Sequence, residues 1–584
     1  MLSIESVEEV RVSTHRGNDD LLSAGLGLRG LVGAPAAFAV PVAPTPAELR
    51  RRAIQSNWKG IADLGPLGGF GTVYGSVPDV PGREFMAFAR HAGAKASHRV
   101  LVQVPDAFDR AKRCLVVTAS PGTRGIYGSI AVAGAWGLPR GCAVAYTDKG
   151  AGSGYFDSAD GSGVALDGTR AKAGEVPLEF EPAGMTAEAG IAVKHAHSGD
   201  NPEADWGRHV LQAARFGLAM LDEAFPEEAP FTPANTRIIA TGLSNGGGAV
   251  LRAAGEDTEG MLAAVVALAP NIYVEGYGRP FYDYATEAAI FLPAALAAPA
   301  FDGLPFARVA GAQPPAWALR SAALRAHGRL SAILPAAQGE EALALLRASG
   351  WHDEALAVGA SSASLDLWRA VTVAYASAYL RRPCGDMPCG YAYRPQHTGG
   401  MAGPVDAMIR AAWWADGSGT PPGAGIVLAG GSDFSMDPTL PGNLCLRDLW
   451  TGQGVDAQRL REAVSTTAAA LPREDLPAFV VHGAQDGLIP VAFSSDPYVK
   501  WLRAAGRSPV YWKVPHAQHF DAFLAFPDFG DRHVPLLPFG HAALDRAWAH
   551  VAEGRALPED AAVRDTRPRG PGALSAAALA LPGA

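Results

Sequence analysis

A short glycine-rich turn at residues 242–246 constrains the fold of this chain more than any other feature. Its sequence, GLSNG, fits the pattern G-x-S-x-G and stands between a strand-like run at 236–241 (TRIIAT) and a helix-like segment from about 246 to 256. Glycines two residues to either side of a serine permit such a crowded turn because they have no Cβ. The pattern therefore predicts that Ser244 projects above a sheet, at the N-terminus of a helix.

Short apolar runs that end in glycine-rich turns also occur on both sides of this turn. Runs at 113–118 and 141–147 precede it, and a run at 262–269 follows it. Between the second run and the turn, an Asn-Pro start signal at 201–202 opens a segment with apolar residues at helical spacing. Strands that alternate with helices predict a doubly wound, mostly parallel sheet, here the α/β-hydrolase fold.

The pattern changes between 271 and 420 to Ala- and Leu-rich helical stretches, which predict a large, mainly helical cap. The strand signal resumes at 425–429 and then at 478–482 and 509–514, and the last two runs are predicted to be the C-terminal strands of the sheet. The predicted organisation is an N-terminal region at 1–95 packed on the catalytic domain, a catalytic domain formed by 96–270 and 421–552, a cap at 271–420 and a peripheral tail at 553–584.

Charge and hydropathy exclude two classes of partner. The 49 basic and 58 acidic residues give a formal net charge of -9, and no stretch concentrates Lys and Arg as a nucleic-acid surface requires. The longest apolar stretches, such as 288–300 and 261–270, are shorter than the roughly 20 residues of a spanning helix and contain proline. We predict no nucleic-acid partner and no stable membrane insertion, and the oligomeric state stays open.

The N-terminus and the cysteines bear on location. The first ten residues carry several charges and lack the pattern of a secretory leader, so the expectation stays open between the cytoplasm and export after removal of a leader. Of the five cysteines, Cys114 and Cys142 lie in strand-like runs and are expected to be reduced, buried thiols. Cys384 and Cys389 lie in a Pro/Gly-rich stretch that a disulfide could close if the protein is exported.

A serine hydroxyl needs a general base, and the base needs an acid that fixes its tautomer. The order on this fold is serine, acid, histidine. Asp486 satisfies that order, because the sequence AFVVHGAQDGLIP is a buried strand followed by a tight turn that presents a carboxylate. The alternatives for the acid are Asp496 and Asp433.

Two histidines follow the last predicted strand. His519 is favoured over His516 as the base, since the base projects from a loop several residues beyond the strand end. His482 lies within a strand and is predicted to be a core histidine. His195 and His197 form an H-x-H pair with no evident third ligand, so no metal site is predicted.

An oxyanion hole on this fold takes one N–H from the residue after the nucleophile, here Asn245. A second N–H comes from the loop after an early strand, predicted here to begin at Ser120. Pro121 has no N–H to donate, so Gly122 or Thr123 is the predicted second donor.

Two cations follow the same early strands. Arg124 and Lys149 are candidates for binding a substrate carboxylate. Solvated surface cations are an equally good interpretation of both residues.

With these residues in view, the chain resembles the D-(-)-3-hydroxybutyrate oligomer hydrolases, esterases that cut short oligomers of 3-hydroxybutyrate to monomers. The similarity runs over most of the chain and includes VSTHRGNDDLLSAGLG, TASPGTRGIYG, ATGLSNGGGAVLRA, VVHGAQDGLIP and HAQHFDAF. The resemblance implies that Ser244 is the charge-relay nucleophile, that the substrate is a small oligoester and that some relatives are exported.

The sequence thus predicts a serine esterase that works through an acyl-enzyme without a metal or organic cofactor. A carboxylesterase or serine peptidase of other specificity would use the same three residues, and a binding module could keep the fold without the activity. Esterases of the tannase and feruloyl esterase type join cysteines beside the serine and the histidine by a disulfide. Leu243 and Phe520 occupy those positions here, which weakens that interpretation.

Overall fold

A computed structural model describes residues 7, 9–182, 190–396, 403, 405–417, 425–432, 435–526, 528–560, 563 and 565–581. The strands are β1 (Arg11–His15), β2 (Gly82–Ala89), β3 (His98–Pro105), β4 (Cys114–Ala119), β5 (Ala143–Thr147), β6 (Tyr155–Asp157), β7 (Ser162–Val164), β8 (Arg170–Lys172), β9 (Ile191–Val193), β10 (Arg237–Leu243), β11 (Ala264–Leu268), β12 (Tyr391–Pro395), β13 (Ile426–Gly430), β14 (Ala478–Gly483) and β15 (Val510–Val514). The helices are α1 (Gly27–Val32), α2 (Pro46–Ile61), α3 (Ala135–Gly137), α4 (Lys194–His197), α5 (Trp206–Ala224), α6 (Asn245–Glu256), α7 (Phe281–Ala295), α8 (Pro315–Ala326), α9 (Pro335–Ala348), α10 (Asp353–Ser364), α11 (Leu367–Leu380), α12 (Ala407–Ala412), α13 (Leu440–Thr451), α14 (Val455–Ser465), α15 (Ser495–Ala504), α16 (Leu537–Glu553) and α17 (Ala576–Leu579).

A nine-stranded sheet in the order β1-β2-β3-β5-β4-β10-β11-β14-β15 forms the centre of the molecule. The strands β1, β2, β3 and β5 pair antiparallel, and every pair from β5 to β15 is parallel. The predicted α/β-hydrolase fold is confirmed. Parallel pairing brings the carboxyl ends of β4, β10, β14 and β15 to one edge of the sheet, where the loops that follow them meet.

Helices cover both faces of this sheet, and its strands β4, β5, β11 and β14 are buried along their whole length. Successive residues of β10 enter opposite layers: Ile238 and Ala240 pack with α5 and α6, whereas Ile239 packs in the core on the side of α2, α16 and the cap. A small antiparallel sheet in the order β8-β7-β6-β9 lies beside the main one. Within the described ranges, no helix is both long and apolar enough to span a membrane.

We call the helices α7 to α11, together with α13 and α14, the cap; α7 to α11 lie within the range 271–420 that the helical pattern assigns to it. The run at 425–429, assigned from the sequence to the catalytic domain, forms β13, which pairs with β12 in a separate two-stranded sheet. The helices α13 and α14 pack on α7 and α11. The central sheet resumes only at β14. The prediction for 425–429 was wrong because an apolar β-branched run indicates a strand without indicating its partner.

Both ends of the chain are more closely joined to the catalytic domain than expected. The strands β1 and β2 belong to the central sheet, so the sheet begins before the predicted boundary at residue 96. In the tail, the Leu574 N–H donates to the Leu67 carbonyl at 3.0 Å, and Leu574 and Leu579 are buried. The segment is therefore packed rather than peripheral over these residues.

The cysteine expectations are corrected by the structure. Cys114 and Cys142 form a disulfide instead of remaining reduced, and Cys389 pairs with Cys445 rather than with Cys384. Cys114 begins β4 and Cys142 directly precedes β5, so their Cα atoms are 4.6 Å apart. Adjacency of β4 and β5 decides the first pairing, and the packing of α13 against the turn before β12 decides the second. Spacing along the chain shows neither contact.

Candidate active site

Ser244 lies at the sharp turn between β10 and α6. Its backbone has φ 60° and ψ -124°, a left-handed conformation that the surrounding structure must hold. A Cβ on Gly242 would lie 2.4 Å from the Gly246 carbonyl oxygen, and a Cβ on Gly246 would lie 2.3 Å from the Ala119 carbonyl oxygen. Only glycine fits at both positions, and their absence of side chains lets the turn place Ser244 at the sheet edge.

The loops after β14 and β15 bring two further predicted residues to this serine. The His519 Nε2 atom is 2.9 Å from the Ser244 Oγ, and the His519 Nδ1 atom is 2.6 Å from the Asp486 Oδ2. His519 and Asp486 are both buried. The three side chains therefore form a continuous hydrogen-bonded chain from carboxylate to hydroxyl.

Several groups hold the Asp486 carboxylate. Its Oδ1 accepts the backbone N–H groups of Leu488 at 2.9 Å and Ile489 at 2.7 Å. His482, predicted to be a core histidine, is buried and places its Nε2 atom 3.1 Å from Oδ2. Burial opposes ionisation, but the nearby His519 and the hydrogen bonds from both histidines outweigh it and hold the pKa of Asp486 well below its usual range.

The alternative candidates make no hydrogen bond to Ser244 or His519 among the described residues. The carbonyl of His516 accepts the Val534 N–H at 2.8 Å, and its φ of 58° belongs to the turn that leads to His519. Asp496 lies at the start of α15 and is bound by the Tyr511 hydroxyl and the Lys513 ammonium. Asp433 lies outside the described residues.

The predicted oxyanion donors lie beside the serine. The loop that carries Gly122 and Thr123 follows β4, the neighbour of β10, and lines the same cleft as Ser244 and His519. Asn245 also lines this cleft and is the first residue of α6, where a helix leaves N–H groups without an intrahelical acceptor. The structure therefore brings the predicted donor residues into the cleft that contains Ser244.

Lys149, one of the two predicted substrate-binding cations, is engaged inside the protein. Its ammonium donates to the Glu203 carboxylate and to the Asn245 side-chain oxygen, and all three side chains are buried. The Asn245 amide donates in turn to Glu203 at 2.9 Å and to the Tyr375 hydroxyl at 3.1 Å. The charge of Lys149 is thus neutralised, and the network fixes the side chain of the residue after Ser244.

Arg124, the other predicted cation, lines the cleft and has a different environment. Its Nη1 donates to the Ser56 carbonyl at 3.3 Å. Burial lowers the pKa of Arg124 to about 10, with no contribution from an acidic neighbour. The structure therefore separates two residues that the sequence treats alike.

The H-x-H pair has local partners. The His195 Nε2 atom is 2.8 Å from Glu203, and the His197 Nδ1 atom accepts the Val193 N–H at 3.0 Å. A search of the described part of the chain finds no group of three or more side chains suited to hold a metal ion.

The cleft has a volume of about 980 Å³, open solvent at its mouth included, and two unlike walls. One wall comes from the sheet edge and carries the residues described above. The opposite wall is largely apolar and comes mainly from the cap, with Phe281, Leu367, Val371, Ala374 and Tyr375.

Two residues of the site, Glu203 and Tyr375, were not singled out from the sequence. His482 is the buried core histidine that the sequence predicts, but its contact with Asp486 was not foreseen. The signal at Asn201-Pro202 marks a helix start nearby but not the burial of Glu203 against Lys149. The position of His482 four residues before Asp486 was visible, although a strand position does not reveal which way the ring points.

The chain was compared with known protein families and with curated proteins. A family model described as 3HB-oligomer hydrolase matches residues 3–583. A protein from Paracidovorax citrulli named D-(-)-3-hydroxybutyrate oligomer hydrolase is 37% identical, with 97% of this chain and 89% of that protein aligned. A protein of the same name from Polaromonas naphthalenivorans is 36% identical, with 96% and 88% aligned.

Solved structures of esterases are also similar to the chain at a distance. Feruloyl esterase B from Aspergillus oryzae shares 12% identity and a TM-score of 0.35, over 95% of this chain and 89% of that one. Tannin acyl hydrolase from Aspergillus niger shares 12% identity and a TM-score of 0.37, over 95% and 85%. Scores of this size support no structural argument.

Proposed function

Because the chain belongs to the 3HB-oligomer hydrolase family and is an ester hydrolase, we propose that it hydrolyses D-(-)-3-hydroxybutyrate oligomers to 3-hydroxybutyrate with Ser244, His519 and Asp486 as its catalytic triad. The observation that carries the proposal is the chain of hydrogen bonds of 2.6 and 2.9 Å that joins these three side chains, of which Ser244 and His519 line the cleft. The order along the chain is the one that the fold requires.

In the proposed acylation step, the Ser244 Oγ attacks the carbonyl carbon of an ester while the His519 Nε2 takes the hydroxyl proton. The backbone N–H groups of Asn245 and of Gly122 or Thr123 bind the oxygen that becomes negative. The ester C–O bond then breaks, His519 gives its proton to the departing alkoxide, and an acyl-serine remains.

Deacylation reverses the roles of the same groups. Water attacks the acyl carbon as His519 takes one of its protons, and the Ser244 oxygen leaves and recovers that proton. Asp486 keeps the imidazole in the tautomer with Nδ1–H and stabilises its protonated form. Every proton is accounted for within the triad, so the reaction needs only ester and water.

The apolar cap wall suits an oligoester whose repeat carries a methyl group and no charge. Transfer of such units from water to a cleft lined by apolar side chains costs little free energy. A peptide would bring amide groups that need hydrogen-bond partners in the cleft. The wall therefore favours an ester substrate over the peptidase alternative.

The test measures hydrolysis of the D-3-hydroxybutyrate dimer and trimer, p-nitrophenyl butyrate and a peptide amide. Wild type is expected to release monomer from both oligomers, and Ser244→Ala is expected to lose at least about 10³-fold in kcat, because only binding and oxyanion contacts remain. Ser465→Ala, at an exposed serine on α14, is the matched control and should behave as wild type.

The outcomes separate the parts of the proposal. Turnover of p-nitrophenyl butyrate without turnover of the oligomers would contradict the substrate and keep the triad. Oligomer hydrolysis by Ser244→Ala at the rate of wild type would contradict the triad. Labelling of wild type, but not of Ser244→Ala, by a fluorophosphonate would dismiss a non-catalytic module.

A further inference from the structure

The cleft contains one cation whose charge is not balanced by the described residues around it. We propose that the Arg124 guanidinium binds the free carboxylate of the terminal hydroxybutyrate unit, so that monomers are released from the carboxyl end of the oligomer. This inference rests on the proposed function for the identity of the oligoester. Recognition of a carboxylate on the departing alcohol is testable without it.

Two contacts with α2 fix the position of Arg124. Its guanidinium lies against the backbone of α2, where a Cβ on Gly60 would meet the guanidinium carbon at 1.9 Å. Its Nη1 donates to the Ser56 carbonyl on the same helix. Gly60 also lines the cleft, so the guanidinium is held at the cleft wall by a site that has no side chain to cover it.

Three buried arginines of this protein have an acidic partner, which the half-buried Arg124 lacks within the described ranges. Arg50 pairs with Glu84 at 2.8 Å, Arg99 pairs with Glu179 at 2.8 Å, and Arg320 pairs with Asp437. Arg124 makes no ion pair among the described residues, and burial alone shifts its pKa, to about 10. It stays cationic at neutral pH, and a half-buried guanidinium can donate two parallel hydrogen bonds to a planar anion such as a carboxylate.

Lys149, the second cation of the cleft, is a less favourable site for the substrate carboxylate. Lys149 is already engaged by Glu203 and Asn245, so a substrate carboxylate would have to displace a buried ion pair to bind it. Arg124 needs no such exchange. The substrate carboxylate would supply the counter-ion and the hydrogen-bond acceptors that the Arg124 guanidinium lacks in the described part of the chain.

The chemistry of the substrate decides the direction of cleavage. An oligomer of 3-hydroxybutyrate has a hydroxyl at one end and a carboxylate at the other, and its internal units are neutral. Arg124 directly follows Thr123, a proposed oxyanion donor, and lines the same cleft as Ser244. A carboxylate held there belongs to the unit that leaves as the alcohol, which makes the last ester bond the one that is cut.

The test uses 3-acetoxybutyrate and its methyl ester, which share one acyl group and differ only in the carboxylate of the leaving unit. For each protein, kcat/KM on the acid is divided by kcat/KM on the methyl ester, so that any general loss of activity cancels. Wild type is expected to prefer the acid. Arg124→Gln is expected to lower the ratio about 10- to 100-fold, the usual effect of a charge-assisted hydrogen-bonded pair.

Two further variants sharpen the measurement. Arg124→Lys keeps the charge but not the two-pronged geometry and is expected to fall between wild type and Arg124→Gln. Arg208→Gln, at an exposed arginine of α5, is the matched control and should keep the wild-type ratio. An unchanged ratio in Arg124→Gln, or a wild type without preference for the acid, would overturn the proposal, and the second result needs no folded variant.

End-blocked trimers test the direction itself. A methyl ester on the carboxyl end is expected to slow the first cleavage by wild type, whereas an acetyl group on the hydroxyl end is expected to leave it unchanged. The reverse pattern would overturn release from the carboxyl end. Preference for 3-acetoxybutyrate without any cleavage of the hydroxybutyrate dimer would refute the proposed function and uphold Arg124.

Discussion

The two walls of the cleft are built in different ways. On the sheet side, Ser244, Asp486 and His519 each follow the carboxyl end of a parallel strand. Hydrogen bonds join the Asp486 carboxylate to the His519 imidazole and the imidazole to the Ser244 hydroxyl. On the cap side, α7 and α11 contribute mostly apolar side chains held by packing alone. The Tyr375 hydroxyl, which accepts from Asn245, joins the two walls.

This difference separates reactivity from selectivity. A sheet edge fixes polar groups within a few tenths of an ångström because neighbouring strands cannot move independently, and catalysis depends on such preorganisation. A cap wall of apolar side chains sets shape and volume without taking part in proton transfer. Changes on the sheet side should therefore alter turnover of every ester, and changes on the cap side should alter the ranking of esters.

The largest effect is expected for Asp486→Asn. The amide cannot hold the imidazole tautomer that accepts the serine proton, so kcat on p-nitrophenyl butyrate is expected to fall about 10³- to 10⁴-fold. Asp496→Asn, at the alternative acid that Tyr511 and Lys513 bind, is the matched control and should stay within about 2-fold of wild type in the same assay. Equal losses in the two variants would show that Asp486 does not orient the base.

The second largest effect is expected for Glu203→Gln, which should lower the stability of the folded protein. The substitution leaves Lys149 buried without its counter-ion, so the free energy of unfolding should fall by about 3 kcal/mol. Urea unfolding measures the difference, and Glu259→Gln, at an exposed glutamate paired with Arg215, supplies the comparison. A loss no larger than that of the control would mean that the buried pair is not held as the structure indicates.

Val371→Trp tests the cap wall. The larger side chain narrows the cleft, so kcat/KM on the trimer is expected to fall about 10-fold more than kcat/KM on p-nitrophenyl acetate. Val455→Trp, at a valine that is 66% exposed on α14, should change neither value. An equal fall in kcat/KM on both esters in Val371→Trp would contradict the idea that the cap wall controls only the ranking of esters.

Tyr375→Phe is expected to give the smallest change. It removes the acceptor for one hydrogen bond of Asn245, and such a bond contributes about 1 kcal/mol, so kcat/KM on p-nitrophenyl butyrate should fall about 5-fold. Tyr277→Phe removes an exposed hydroxyl and serves as the control. If the two variants have the same kcat/KM, the hydrogen bond between Tyr375 and Asn245 does not help to position Asn245 as an oxyanion donor.

The sequence by itself determined the local geometry of the site. The strand, turn and helix around Ser244 are set by glycines and apolar runs within about ten residues, and the loops that carry Asp486 and His519 follow strands that their own composition marks. Because the fold orders these loops along one sheet edge, three distant residues were predicted to meet without knowledge of any contact between them.

Only the tertiary structure decided which distant residues pair. It joined Cys389 to Cys445 and the run at 425–429 to β12, and it neutralised Lys149 with Glu203 while leaving Arg124 without an acidic partner among the described residues. Two cations in similar sequence contexts thus received opposite environments. The physical reason is that propensity and periodicity act over neighbouring residues, whereas disulfides, strand partners and buried charges depend on atoms that only the folded chain brings within a few ångströms of one another.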